Sequence, residues 1–197
     1  MNKKKVLFVS EASYLNTGYA TYSREVLKRL HATGKYELAE FSIYGTEDHK
    51  DRGTIPWKNY PNMPQAGNQE QNEIYGKDGL NQFGKWRFDR ACLDFKPDVV
   101  LTIRDWWMDA FIQHSPLRKC FKWVWMPTVD ASPQNEEWID SFSDADIVLT
   151  YSDWAVDVLK SQSDRMNVKC AAPPSASEDF AEPSCGTNFW FPTIPPD

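Results

Sequence analysis

The amino-terminal segment restricts the fold most, because an apolar strand, a glycine turn and an amphipathic helix follow one another there. We predict the strand over residues 5–10 and the helix over residues 20–31. The turn between them contains Asn16, Thr17, Gly18 and Tyr19. Backbone N–H groups at the start of such a helix have no intrahelical partner, and α/β folds use them to bind phosphate groups. The pattern predicts that this turn lies at a phosphate or sugar site.

Gly18 leaves two interpretations open. The turn does not match GxGxxG and no GK[ST] follows it, so the sequence indicates neither a dinucleotide site nor a P-loop. In one interpretation the glycine lets the backbone approach a ligand closely. In the other it only gives the loop its backbone shape.

The rest of the chain alternates between predicted strands and helices. Several strands are apolar on both faces, which is typical of a parallel sheet covered by helices on both sides. We therefore expect an α/β fold with a Rossmann-like parallel sheet, occupying residues 1–172 as a single domain. The later strands are predicted at 36–44, 99–103, 122–126, 146–151 and 168–171, and the later helices at 83–95, 106–113, 135–142 and 153–161.

Two segments lack this periodicity. Residues 45–81 are rich in proline and glycine, and they are predicted to form a long irregular connection that is functional, partly ordered or mobile. Residues 173–197 are also proline-rich, and we expect an extended tail or an interdomain linker there.

Charge and apolar content exclude several classes of protein. The 197-residue chain has a net charge of −6, whereas a general nucleic-acid surface needs clustered Lys and Arg. No apolar stretch is long enough for a transmembrane helix or for the core of a signal peptide. The four cysteines are scattered without a CxxC pair, so neither a zinc site nor a disulfide framework is suggested, and the cytoplasm is the expected location.

Polar residues follow several predicted strands at their carboxyl ends, where parallel sheets bind ligands. After one strand, Arg104 can hold a phosphate or carboxylate and Asp105 can bind substrate hydroxyls, or the two form an ion pair at a helix start. Asp130 follows the next strand and can act as a base on an acceptor hydroxyl, or serve only as an N-cap or turn residue. Ser152 follows a third strand, where it is a substrate-binding candidate and also a good helix N-cap.

A metal site is not expected. Asp144 and Asp146 look like a metal-binding DxD motif, but they lie at the amino end of a predicted strand, away from the expected ligand edge. His31, His49 and His114 do not have the spacing of a catalytic triad.

Four segments together resemble the amino-terminal half of the GT-B glycosyltransferases, specifically the large retaining group called family 4. The resemblance spans most of residues 4–180, and it rests on the order and spacing of the segments more than on any one of them. The segments are VLFVS (6–10) with NTGY (16–19), KPDVV (96–100), ADIVLTYSDWA (145–155) and PPSASEDF (173–180).

The resemblance implies two Rossmann-like domains that face each other across a cleft. The amino-terminal domain would hold mostly the acceptor, and the carboxyl-terminal domain mostly the nucleotide sugar. Gly18 would lie near the donor phosphates. Asp130 falls where many members have a histidine. Because of this departure, the resemblance by itself does not give Asp130 a catalytic role. The donor-binding half, with its paired glutamates, is expected beyond residue 180.

Two functions follow from these observations. In the first, the chain is the acceptor-binding half of a glycosyltransferase that moves a sugar from a nucleotide sugar to a glycan or other hydroxyl acceptor. It would need a second GT-B domain, but no metal and no cofactor besides the nucleotide-sugar co-substrate. In the second, it is a non-catalytic module that binds a glycan, a nucleotide or a protein, and the aromatic residues of its tail form a surface for a partner or for self-association.

Overall fold

The computed structural model describes residues 3–171, which form one seven-stranded parallel sheet with helices packed against it. The strands are β1 (Lys4–Glu11), β2 (Tyr36–Ile43), β3 (Lys58–Pro61), β4 (Val99–Ile103), β5 (Lys122–Met126), β6 (Ile147–Thr150) and β7 (Val168–Cys170). The helices are α1 (Gly18–Ala32), α2 (Gln69–Gly76), α3 (Lys85–Phe95), α4 (Trp106–Asp109), α5 (Glu136–Ser143) and α6 (Asp153–Gln162).

The strand order reverses once within the sheet. The order is β3-β2-β1-β4-β5-β6-β7, and every neighbouring pair is parallel. The chain therefore moves outward from β1 to β3 and then returns to place β4 on the other side of β1. Such a reversal opens a crevice at the carboxyl ends of the two central strands, where open α/β sheets bind ligands. The predicted α/β, Rossmann-like sheet is confirmed.

The core has two layers, one on each face of the sheet. Successive side chains of β1 point to opposite faces, so Leu7 and Val9 lie in one layer and Val6 and Phe8 lie in the other. The helices α3, α5 and α6 contribute buried side chains to the first layer, and α1 contributes to the second. Burial on both faces explains why this strand reads as an uninterrupted apolar run.

The segment 45–81 differs from the prediction, because it contains β3 and α2 rather than irregular structure alone. Within residues 3–171, the strand β3 pairs only with β2, at the edge of the sheet, and α2 buries none of its residues. Neither element needs the apolar periodicity by which strands and helices are recognised in a sequence. The predicted tail, 173–197, lies outside the described residues. In the part of the chain that the structure describes, no helix is long and apolar enough to cross a membrane.

Candidate functional site

Three polar side chains meet at the crevice between β1 and β4. The Tyr19 hydroxyl donates to Asp105 Oδ1 over 3.0 Å and lies 3.2 Å from Thr128 Oγ1. Tyr19 belongs to the first turn of α1, whereas Asp105 follows β4 and Thr128 follows β5. The segments after three adjacent strands, β1, β4 and β5, thus contribute one side chain each. Two of the predicted site residues, Tyr19 and Asp105, are brought into direct contact.

The Tyr19 phenol acts as a hydrogen-bond donor in this cluster. Burial raises the pKa of Tyr19, the Asp105 carboxylate raises it further, and the contact with Thr128 opposes this shift. A protonated phenol can therefore donate to Asp105 at neutral pH. Asp105 is the N-cap residue of α4, but its side chain makes no capping bond, so its carboxylate keeps capacity to accept bonds from ligand hydroxyl groups.

The start of α1 presents backbone to solvent beside this cluster. Thr17 is the N-cap residue, and its Oγ1 accepts a hydrogen bond from the Ala20 amide over 3.1 Å. The Thr17 hydroxyl itself donates to Glu11. Asn16, Thr17 and Gly18 are all exposed, and the helix begins at Gly18 rather than at residue 20 as predicted. Backbone amides at the start of a helix bind anions in other α/β folds.

Gly18 has no conformational reason to be glycine in this structure. Its φ lies outside the left-handed region, and a Cβ placed on it would meet no atom within 4 Å. The backbone-shape interpretation of Gly18 therefore has no support here, and the space in front of the residue is open.

The loop between β1 and α1 is held by a buried carboxylate that was not predicted from the sequence. Glu40, on β2, is fully buried, and it accepts hydrogen bonds from the amide and hydroxyl of Ser13 at 2.6 and 2.8 Å and from the Trp57 indole at 2.8 Å. Arg24 of α1 donates to the carbonyl oxygens of Ser13 and Leu15 at 3.0 and 3.4 Å. The loop that leads to Tyr19 is therefore tied to both β2 and α1. A charged residue inside an apolar strand was the signal that could have identified Glu40.

Arg104 lies inside the protein. Its side chain is fully buried, pairs with the equally buried Asp109, and donates to the Phe83 carbonyl oxygen over 3.2 Å. Burial raises the pKa of Asp109, and the charge of Arg104 opposes this shift. Of the two alternatives for Arg104, the structure shows the ion pair, with Asp109 rather than Asp105 as the partner. Because the Arg104 guanidinium has no exposed surface, it cannot contact a substrate directly. The predicted substrate-binding role of Arg104 is therefore not retained.

Asp130 and Ser152 also follow strands of the sheet. Asp130 is exposed in the segment after β5, two positions beyond Thr128. Ser152 is half-buried after β6, and its Oγ accepts a bond from the Ala155 amide over 3.3 Å. Ser152 is therefore the N-cap of α6.

Residues 3–171 contain no cluster of three or more His, Cys, Asp or Glu side chains that could hold a metal ion. Asp146 accepts a hydrogen bond from the Trp123 amide and pairs with Arg118 and Lys122, which accounts for its place at the amino end of β6.

The sequence matches no protein-family model and no curated protein. Its fold is similar to solved structures of three named enzymes. Sucrose-phosphate synthase from Thermosynechococcus elongatus has 14% identity and a TM-score of 0.56, over 86% of this chain and 48% of that one. The lipopolysaccharide outer core galactosyltransferase WaaB has 13% identity and a TM-score of 0.57, over 87% and 46%. UDP-GlcNAc 2-epimerase from Methanocaldococcus jannaschii has 10% identity and a TM-score of 0.53, over 86% and 45%.

These likenesses establish the fold. The chain has the Rossmann-like fold of one half of a GT-B protein, and it spans about half the length of these three solved structures. Sequence identities of 10–14% are too low to assign the chain to one GT-B family, so membership in family 4 stays a prediction.

Proposed function

We propose that this chain is the acceptor-binding half of a glycosyltransferase, which brings a nucleotide sugar and a hydroxyl acceptor together at the carboxyl edge of its sheet. The observation that carries the proposal is the Tyr19–Asp105–Thr128 cluster at the crevice between β1 and β4. A ligand-binding α/β sheet places its functional side chains at this edge. The fold alone would not support this proposal, because similar folds are found in proteins with unrelated chemistry.

The residues at this edge offer three kinds of contact. The backbone amides of Gly18 and Tyr19, at the positive end of α1, suit the phosphate groups of a nucleotide sugar. The Asp105 carboxylate and the Thr128 hydroxyl suit sugar hydroxyl groups. In the proposed reaction, the acceptor hydroxyl oxygen bonds to the anomeric carbon of the donor sugar, the bond from that carbon to the nucleotide phosphate breaks, and the nucleotide leaves. Asp130 accepts the proton of the acceptor hydroxyl, a role that its exposed position after β5 allows.

The comparisons support sugar transfer but do not establish it. WaaB is named as a galactosyltransferase and the structure from Thermosynechococcus elongatus as a sucrose-phosphate synthase, whereas the third similar structure is named as a UDP-GlcNAc 2-epimerase. A nucleotide-sugar site is the part of the proposal that a transferase and such an epimerase would have in common. The first experiment therefore addresses nucleotide-sugar binding, and a second addresses transfer.

The binding experiment is calorimetric titration of the full chain with UDP and with UDP-GlcNAc. We expect both probes to bind, and Asp105→Asn and Tyr19→Phe to weaken UDP-GlcNAc binding by roughly tenfold, because each removes a hydrogen bond at the site. The chain provides a matched control in Tyr60, whose hydroxyl donates to Asp94 over 2.5 Å at the β3 edge. Tyr60→Phe and Asp94→Asn should leave the affinity unchanged. Equal losses in the two pairs, or no binding of either probe, would overturn the proposal.

The transfer experiment separates the enzyme from the non-catalytic module. The chain is incubated with radiolabelled UDP-GlcNAc and a panel of glycan acceptors, alone and with a separately produced GT-B donor domain. Labelled acceptor that forms only when Asp130 is intact, and not with Asp130→Asn, supports the proposed reaction. Binding of a glycan or of UDP with no transfer under either condition supports the module instead.

A further inference from the structure

A cavity lies on the flank of α1, beside the loop that follows β1. It has a volume of about 430 Å³, which is within the range of small-molecule sites. One wall is the outer face of α1, and the other is the segment 51–57 that leads to β3. The loop residue Ser13, which Glu40 and Arg24 hold in place, also reaches this cavity.

The α1 wall of this cavity is cationic. Arg24, Lys28 and His31 line it, and their spacing along the helix puts them on one face. Arg24 donates only to carbonyl and hydroxyl oxygens within residues 3–171, so no carboxylate there neutralises its charge. Lys28 lies 3.6 Å from Glu25, and an exposed ion pair of this kind contributes little to stability. Three basic side chains on one wall suit a phosphate group.

The opposite wall has a different chemistry. Ile55, Pro56 and Trp57 give it an apolar surface, and Asp51 adds one carboxylate. Asp51 begins a short 3-10 helix, but its side chain makes no capping bond, so its oxygens can accept hydrogen bonds from a ligand. A carboxylate facing a basic wall disfavours a ligand that is anionic along its whole length and favours one with hydroxyl groups at one end.

We propose that this cavity binds a small sugar phosphate, with its phosphate on Arg24, Lys28 and His31 and its hydroxyl groups on Asp51. The site is separate from the Tyr19–Asp105 cluster and does not depend on the function proposed above. Its ligand would contact Arg24, the same residue that fixes the β1–α1 loop through the Ser13 and Leu15 carbonyl groups. Ligand binding would therefore affect the loop that leads to Tyr19.

The test uses the indole N–H of Trp57, which lines the cavity and donates to Glu40. Its ¹H–¹⁵N signal, assigned with Trp57→Phe, is followed while the full chain is titrated with glucose 6-phosphate, inorganic phosphate or glucose. We expect glucose 6-phosphate to move this signal at a lower concentration than inorganic phosphate, and glucose to leave it in place. The exposed Trp154 on α6 serves as the reference signal.

Three variants identify the contacts. Lys28→Gln should weaken binding of glucose 6-phosphate and of inorganic phosphate by roughly tenfold, because it removes a charged hydrogen-bond donor. Lys160→Gln, at an exposed lysine in the last turn of α6, removes the same charge outside the cavity and should change neither affinity. Asp51→Asn should weaken binding of glucose 6-phosphate but not of inorganic phosphate.

The proposal is overturned if neither phosphate probe moves the Trp57 signal, or if Lys28→Gln and Lys160→Gln have equal effects. It is also overturned if inorganic phosphate binds as tightly as glucose 6-phosphate and Asp51→Asn alters neither, since the cavity would then recognise the anion alone. These results are independent of UDP-GlcNAc binding at the strand ends, so the two proposals fail separately.

Discussion

The Tyr19 hydroxyl and the Asp105 carboxylate lie 3.0 Å apart, although 86 positions separate the two residues in the sequence. Their hydrogen bond joins the segment after β1 to the segment after β4, across the point at which the strand order reverses. The sheet topology therefore creates the contact, and local sequence does not. Because the phenol donates to Asp105, the bond also orients the carboxylate that we propose as a ligand for sugar hydroxyl groups.

We expect Gly18→Ala to preserve the stability of the chain and to weaken UDP-GlcNAc binding. A Cβ at this position meets no atom within 4 Å, and alanine favours the helix more than glycine does. The methyl group would nevertheless occupy the space through which a phosphate reaches the first amides of α1. Thermal unfolding and calorimetric titration measure the two effects.

Gly84→Ala is the control for that experiment, because Gly84 has a φ of +113° and its added Cβ would lie 2.4 Å from a Phe41 ring carbon. It should lower stability by about 1–3 kcal/mol. If Gly18→Ala destabilised the chain as much as Gly84→Ala does, the open space at Gly18 would not exist in solution.

Glu40→Ala should destabilise the chain by about 2–4 kcal/mol, because it leaves the Ser13 and Trp57 donors buried without an acceptor. Glu37 lies on the same strand but is exposed, 3.5 Å from Lys5, and Glu37→Ala should cost less than about 1 kcal/mol. Urea unfolding of both variants measures the difference. Similar losses for the two glutamates would mean that the buried network does not hold the loop.

The strands that could be predicted from the sequence are those buried on both faces. β1, β4 and β5 are runs of apolar residues for that reason, and their carboxyl ends had to meet at one edge of a parallel sheet. The strand β3 could not be predicted, because Lys58–Pro61 is short, lies at the edge and is defined by its pairing with β2. No sequence pattern within residues 45–81 indicates that β3 pairs with β2.

The site was predictable only as far as topology places residues. Tyr19 and Asp105 follow strands that the reversal makes neighbours, so their proximity could be expected. The burial of Arg104 could not, because it depends on Asp109 in the next short helix and on the Phe83 carbonyl group. The anchoring role of Glu40 depends on Ser13 and Trp57, which lie 27 and 17 positions away in the sequence.

Asp109→Ala should destabilise the chain by about 3–5 kcal/mol, because it leaves the Arg104 charge buried without its partner. The double variant Arg104→Met, Asp109→Leu removes both charges and should recover most of this loss. The exposed pair of Arg165 and Asp140 is the control, and Asp140→Ala should cost less than about 1 kcal/mol. Chemical unfolding tests all three. If the double variant were as unstable as Asp109→Ala, loss of packing rather than the unpaired charge would be the cause.

Asp146 should make the stability of the chain depend on pH in the acid range. Burial acts to raise the pKa of Asp146, but the hydrogen bond from the Trp123 amide at 2.8 Å and the charges of Lys122 and Arg118 outweigh it and hold the pKa below its usual value. A lowered pKa in the folded state means that the unfolded chain takes up the proton more readily. The stabilisation by Asp146 is therefore complete above the unfolded pKa of about 3.9, and it is lost as the pH falls through the folded value.

The measurement compares the free energy of unfolding of the chain with that of Asp146→Asn, from neutral pH down through the acid range. The chain should be more stable than the variant at neutral pH, and the difference should shrink below about pH 4 as Asp146 becomes protonated. Asp157→Asn, on the exposed face of α6, controls for the loss of one negative charge. Two curves that stay parallel over the whole range would show that the contacts of Asp146 do not favour its charged form.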